Sequence, residues 1–208
     1  MMNVPPNQVR FPLPESTSDP LLVLVRKACS LPGNRFGPEI LEEHLLIVER
    51  FALQLAEVFG ADREVVKAAA LLHDIAAIYD FTCLPRHAEA GGEMIASLLS
   101  SIGPAGRLGF DDARIDQVAI CVREHSSPKK PAETTLESVC TSHADAMSQI
   151  VRPLYWFCYA RTLKELTHGE ALEWYRALIR RNWNSLLDEA KSLVESEYRA
   201  VAIITDHK

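Results

Sequence analysis

The stretch DREVVKAAALLHDIAAI, residues 62–78, decides the fold class. Asp62 is a residue type that caps helices, because its short side-chain oxygen can accept an unpaired N–H of the first turn. Behind it Val65, Val66, Ala69, Leu72 and Ile75 recur at helical spacing, which predicts one helix from residue 62 to about 78. His73 shares a face with Ala69, Ala70 and Ala77, and side chains that small let a neighbouring helix come close.

Outward from this stretch the pattern stays helical. A first helix is expected over 20–30, stopped by Leu31, Pro32 and Gly33. Gly37 and Pro38 open a second, in which Ile40, Leu41, Leu45, Val48, Phe51, Ala52, Leu55 and Val58 keep the period to about Phe59, and Gly60 caps its end. A loop at 80–85 leads to a fourth helix over about 87–100, and Gly103, Pro104, Gly106 and Gly109 break the pattern. Asp111 or Asp112 caps a fifth helix to about Glu124. Thr134 with Glu137 reads as a capping box opening a sixth, which ends near Arg152 and Pro153. An aromatic helix from Leu154 to about Leu166 and a long one from Gly169 to Ala200 complete the chain. No segment alternates as a strand would, and no repeat is visible, so the class is all-α. The organisation expected is an extended N-terminal arm over 1–18, where prolines at 5, 6, 12 and 14 deny a helix its register, a domain over 19–152, and C-terminal helices over 153–208 packed on that same domain.

Composition narrows the function. A chain of 208 residues buries roughly seventy per cent of its unfolded surface, so a metal here would serve chemistry rather than folding. The net charge of −6 disfavours a stable nucleic-acid complex or an anionic membrane as partner. The run after Pro20 stays apolar for five residues before Arg26 and Lys27, far short of a span, and the proline-rich start is no secretory signal. Cysteines at 29, 83, 121, 140 and 158 are odd in number and lack a C-x-x-C, which fits buried thiols in a reducing, cytoplasmic setting.

Of seven histidines, four fall where helices meet or end. His44 sits on an apolar stripe between Leu41 and Val48, His73 precedes Asp74, His87 opens a helix and His125 closes one. Asp145 stands in mid-helix between Ala144 and Ala146. A single such histidine is usually a core residue bonded to a carbonyl; the set is judged jointly. Neighbours on a helix point about 100° apart, so His73 and Asp74 rarely share one small ligand, but the two oxygens of Asp74 could serve two ions. His168 and His207 read as ordinary, and His143 faces away from Asp145.

The segments LLHDIA (71–76), HAEAG (87–91), EHSSPKKP (124–131) and SHADAM (142–147), following His44, stand in the order of the HD-domain superfamily of metal-dependent phosphohydrolases, and residues 38 to 150 resemble its stand-alone bacterial type. The resemblance implies a helical bundle with ligands converging at one end and two divalent transition-metal ions. His44, His73, Asp74 and Asp145 would hold the first ion; Asp74, His87 and His125 would hold the second. Imidazoles and carboxylates without thiolate suit iron or manganese, with cobalt, nickel or zinc able to take their place, over magnesium. Cys121, one turn before His125, is expected as a buried small hydrophobe. Two such ions would turn a bridging water into hydroxide for in-line attack on phosphorus. The resemblance implies hydrolysis of a phosphoester or phosphoanhydride, of a nucleotide or dinucleoside polyphosphate, with Asp74 central. Arg86 and Arg152 are the candidate phosphate contacts, ahead of Lys129 and Lys130. Two departures stand out: Ala76 and Ala77 replace a basic pair common in relatives, and the G-Y-P stretch of cyclic-dinucleotide phosphodiesterases is missing. A di-iron oxygenase and a non-catalytic nucleotide-binding module are the alternatives. Tyr155, Trp156, Phe157, Trp174, Tyr175 and Trp183 are expected in the core, with a homodimer seam as their functional alternative.

Overall fold

Asp19 caps α1 (Pro20–Cys29), accepting from the N–H groups of Leu21 and Leu22 while pairing with Lys67 Nζ at 2.5 Å. The computed structural model describes residues 19–101 and 110–206, and every regular element among them is helical. The expected arm over 1–18, the break at Gly103, Pro104, Gly106 and Gly109, and His207 lie outside the described residues.

The second helix opens later than Gly37 and Pro38 suggest. Turns run to residue 39, a π-helical turn spans Leu41–Leu45, and α2 (Leu46–Phe59) continues to the left-handed Gly60, φ 72°. π-turns often mark functional positions, and this one carries His44. Asp62 caps α3 (Arg63–Leu72) as expected. The helix predicted to run on to 78 breaks at the doublet, resuming as α4 (Ile75–Tyr79). Asp74, at φ −98° and ψ 7°, leaves helical geometry. On a continuous helix His73 and Asp74 would diverge; the break lets His73 Nε2 and Asp74 Oδ2 stand 3.4 Å apart.

The predicted loop at 80–85 is a 3-10 turn, Phe81–Arg86, started by Asp80 accepting from the Thr82 N–H. It feeds α5 (His87–Ser101), and Asp111 caps α6 (Asp112–Glu124). α7 (Leu136–Val151) is capped by Thr135, not by the Thr134 of the apparent box. Thr134 donates to Glu124 instead, and Glu137 accepts from the N–H of Asp62 at 2.9 Å, tying α7 to the start of α3. α8 (Pro153–Thr162) ends before Leu166, and the long terminal helix is two, α9 (His168–Ser185) and α10 (Asp188–Asp206). No glycine or proline marks that break. Leu186 turns extended, φ −69° and ψ 143°, and enters the core, and the stacked rings of Trp183 and Tyr198, centroids 4.2 Å apart, join the two helices.

α7 is the central post, packed on α2, α3, α6, α9 and α10, while α5 packs on α6. Two apolar clusters form the core, α7 contributing Cys140, Ala144, Ala146, Met147 and Ile150 to one of them, and Tyr155 and Tyr159 of α8 touch both. Of the six aromatics expected in the core, Tyr175 is fully buried and Trp156 nearly so, while Tyr155, Phe157, Trp174 and Trp183 are half-buried. No helix among the described residues is long and apolar enough to cross a membrane.

Candidate metal centre

Asp74 lies between two pairs of imidazoles. Its Oδ2 stands 3.3 Å from His44 Nε2 and 3.4 Å from His73 Nε2. Its Oδ1 stands 3.3 Å from His87 Nε2 and 3.7 Å from His125 Nε2. Asp145 Oδ1 joins the first pair, 3.5 Å from His44 and 3.9 Å from His73. Within each pair the Nε2 atoms approach to 3.0 Å.

The other ring nitrogen of each histidine fixes its tautomer. Nδ1 of His73, His87 and His125 donates to the carbonyls of Ala70, Leu84 and Val122 at 2.8, 2.7 and 2.7 Å. His44 Nδ1 donates to Ser148 Oγ at 2.8 Å, since that hydroxyl spends its own proton on the Asp145 carbonyl. All four Nε2 atoms therefore face inward, toward each other and the carboxylates, each with a lone pair when its ring is neutral. Two nitrogens bound side by side to one ion at about 2.1 Å would stand about 3 Å apart, the spacing of both pairs. A donor set so spaced fits divalent metal, which these imidazoles and carboxylates would hold. His44, His73 and Asp145 converge within reach of one ion, as do His73, Asp74 and His125.

The protein's own charges treat His73 and His125 differently. Burial alone would lower His73, but Asp74, Asp145 and the Ala70 carbonyl push it up to about 9. Burial, then the neighbouring His73, pulls His125 down to about 4. Burial opposes ionisation of Asp74, yet His73 and His44 hold its carboxyl well below the usual range.

Local sequence explains the convergence. α5 carries Gly91, where an added Cβ would meet Val122 Cγ1 at 2.9 Å and the His73 carbonyl at 3.5 Å. Only a bare backbone lets α5 come this near, and His87 begins that helix. His143 is buried and donates from Nε2 to the Lys129 carbonyl, while Ser142 Oγ accepts from the Lys129 N–H, so α7 holds the loop after His125.

Against these groups lies a cavity of about 150 Å³ whose lining combines Asp74, His87, His125 and Asp145 with Phe36, Leu84, Trp156 and Tyr159, and with Ser126 and Gln149. Arg86 and Arg152 do not line it. Arg86 is exposed, and Arg152 Nε stands 3.3 Å from Glu43. Lys129 and Lys130 are off the lining too. Cys121 is buried, accepts from Ser138 and groups with no metal ligand; burial pushes its thiol, like those of Cys29 and Cys140, up to about 12. Cys83 is half-buried and Cys158 exposed. His168 is exposed against Phe157.

Sequence reading missed Phe36, Tyr159, Ser126 and Gln149, and placed Trp156 in the core without its ring meeting His44 edge-on, centroids 5.1 Å apart. Gln149, one turn after Asp145, had a signal: residues four apart share a helix face, and Gln149 Nε2 donates to Asp145 Oδ1 at 3.0 Å.

The family model for the HD domain matches residues 41–150, more than half of the 208. No protein of curated function matches the chain. Among solved structures, that of a predicted HD superfamily hydrolase from an uncultured Thermotogales bacterium is similar, with a TM-score of 0.56 and 22% identity over 88% of this chain and 86% of that one.

Proposed function

This chain belongs to the HD domain family, and from that premise we propose that it is a metal-dependent hydrolase acting on phosphoesters or phosphoanhydrides. The observation that carries the reading is Asp74, each of whose oxygens faces its own pair of inward imidazole nitrogens. When bound, a pair of divalent ions supplies Lewis acidity, acidifying water and neutralising phosphoryl oxygens. Iron and manganese suit the nitrogen-rich donors best. The chain's residues do the rest. Asp74 would hold both ions in register, and Asp145, fixed by Gln149, would close the first site. The backbone carbonyls behind His73, His87 and His125 hold the Nδ1 proton of each ring and aim each Nε2 inward, the atom a metal would take once His73 has given up its second proton.

The aromatic wall of Phe36, Trp156 and Tyr159 suits the organic part of the substrate, and a nucleobase stacks well on such rings, which favours a nucleotide. For phosphate, Arg86 is the better placed of the two arginines: it precedes His87 and is exposed, whereas Arg152 would have to leave Glu43. The test is a metal analysis followed by a panel of nucleotides, dinucleoside polyphosphates and simple phosphoesters with Mn²⁺, Co²⁺, Fe²⁺ and Mg²⁺. Turnover with the first three exceeding that with Mg²⁺ is expected. A fully loaded protein that cleaved none of them, yet consumed O₂ with an organophosphonate or polyol, would hand the site to oxygenase chemistry.

A further inference from the structure

α9 lies beyond the residues matched by the family model, yet it reaches the metal centre through two buried side chains. Tyr175 and Asn182 stand seven residues apart, two turns along one face, and both engage the last turns of α7. The Tyr175 hydroxyl donates to the Gln149 carbonyl at 2.9 Å. Asn182 Nδ2 donates to the side-chain oxygen of Gln149 at 2.8 Å and to the Ala146 carbonyl at 3.3 Å. Gln149 Nε2 in turn donates to Asp145 Oδ1 at 3.0 Å, the same oxygen that faces His44 and His73.

The polarity of this chain of bonds is determined at every link. A carboxylate only accepts, so Gln149 must present its NH₂ to Asp145. That leaves its carbonyl oxygen toward Asn182, which must therefore present its own NH₂. The Ala146 carbonyl, also an acceptor, holds the second proton of that group. Each amide has one orientation that satisfies all its neighbours, and reversing Asn182 would reverse Gln149 and set two oxygens against each other at Asp145. A buried amide, 4% exposed, fixed this way is more than filler in the α7–α9 interface.

We propose that Asn182 is a positioning residue of the metal centre: acting through the Gln149 amide, it holds Asp145 in the orientation that completes the ion site of His44 and His73. The inference rests on the metal-dependent reading above. It also assigns the C-terminal helices a task, since α9 would set the affinity of one ion and leave the ion between His87 and His125 alone.

The decisive variant is Asn182→Asp, which keeps size and shape but offers an acceptor where a donor stood. Gln149 must then turn its NH₂ toward the new carboxylate and its oxygen toward Asp145. Metal-free wild type and variant are titrated with Mn²⁺ alone under chelator competition, giving two affinities, with thermal unfolding followed in parallel. One affinity should weaken about 10- to 100-fold, the usual effect of losing a partner that orients a ligand, and the other should hold. Gln149→Leu, at the half-buried cavity edge, should weaken the same ion. In the double variant Asn182→Asp should add no further loss, because the amide that transmits it is gone. Two affinities falling together in step with thermal stability would make Asn182 a structural residue only. Unchanged affinities, or additive losses in the double variant, would remove the relay. A wild type that bound no Mn²⁺ would overturn the metal reading itself, and is told apart from these by the wild-type titration alone.

Discussion

Asp74→Asn is the substitution that tests the centre most directly, because it keeps the shape of the side chain and removes what two ions would share. Each carboxylate oxygen stands 3.3 to 3.7 Å from two imidazole nitrogens. An asparagine can offer an oxygen to one pair only, and its NH₂ cannot ligate at the other. The charge is lost to both. A unit charge about 4 Å from a divalent ion is worth about 8 kcal/mol at an effective dielectric near 20. The several kcal/mol needed to desolvate a buried carboxylate offsets much of this. A net loss of a few kcal/mol remains, which is two to three orders of magnitude in affinity at about 1.4 kcal/mol per tenfold. Mn²⁺ titration of the metal-free protein, with circular dichroism to verify the fold, should show both affinities reduced by that order and no turnover on any phosphate compound. Retention of one ion at full affinity would make Asp74 a ligand of a single site. Retention of both would refute the geometry argued from its two oxygens.

The ion site of His44 and His73 should bind more tightly as pH rises, levelling above about 9, because the proton held on His73 must leave before a metal enters. Its folded pKa lies above the unfolded 6.5, so in the metal-free protein this group's stabilisation is full below about pH 6.5 and lost as pH rises through 9; urea unfolding across that window checks the sign. Gly91→Ala should cost about 1–3 kcal/mol in thermal unfolding, since its Cβ would meet Val122 Cγ1 at 2.9 Å, and should weaken the ion of His87 and His125 by displacing α5. Arg86→Ala should raise KM by about 1.5–3 kcal/mol with metal content intact, whereas Arg152→Ala, which leaves Glu43 unpaired, should change KM less; equal effects would place both arginines on the substrate.

The helices were legible wherever local chemistry decides. Asp62, Gly60 and Asp111 mark their ends because caps and left-handed glycines answer to short-range rules. What failed was decided from outside the segment. The doublet helix breaks where Asp74 comes to face both imidazole pairs, and nothing between residues 62 and 78 names the partners, which stand at 44, 87 and 125. The break at Leu186 answers to the core it enters, and the capping threonine shifted by one because Thr134 found Glu124 across the loop.

The candidate ligands could be picked out as a converging set because histidines at helix ends and on apolar stripes are few, and their order can be matched to a family. The cavity wall offered no such handle: Phe36 and Tyr159 are ordinary aromatics at positions 123 residues apart, with rings stacked at 6.0 Å only once the chain is folded. The same holds for Asn182. In sequence it is one asparagine in a polar helix, and its meaning comes from an amide 33 residues away whose polarity a carboxylate has already fixed. A motif can therefore identify the atoms that face a metal, but the groups that aim those atoms obey only the rule that each buried donor meets an acceptor. Such groups can come from any helix that reaches the site, here one outside the family's own span.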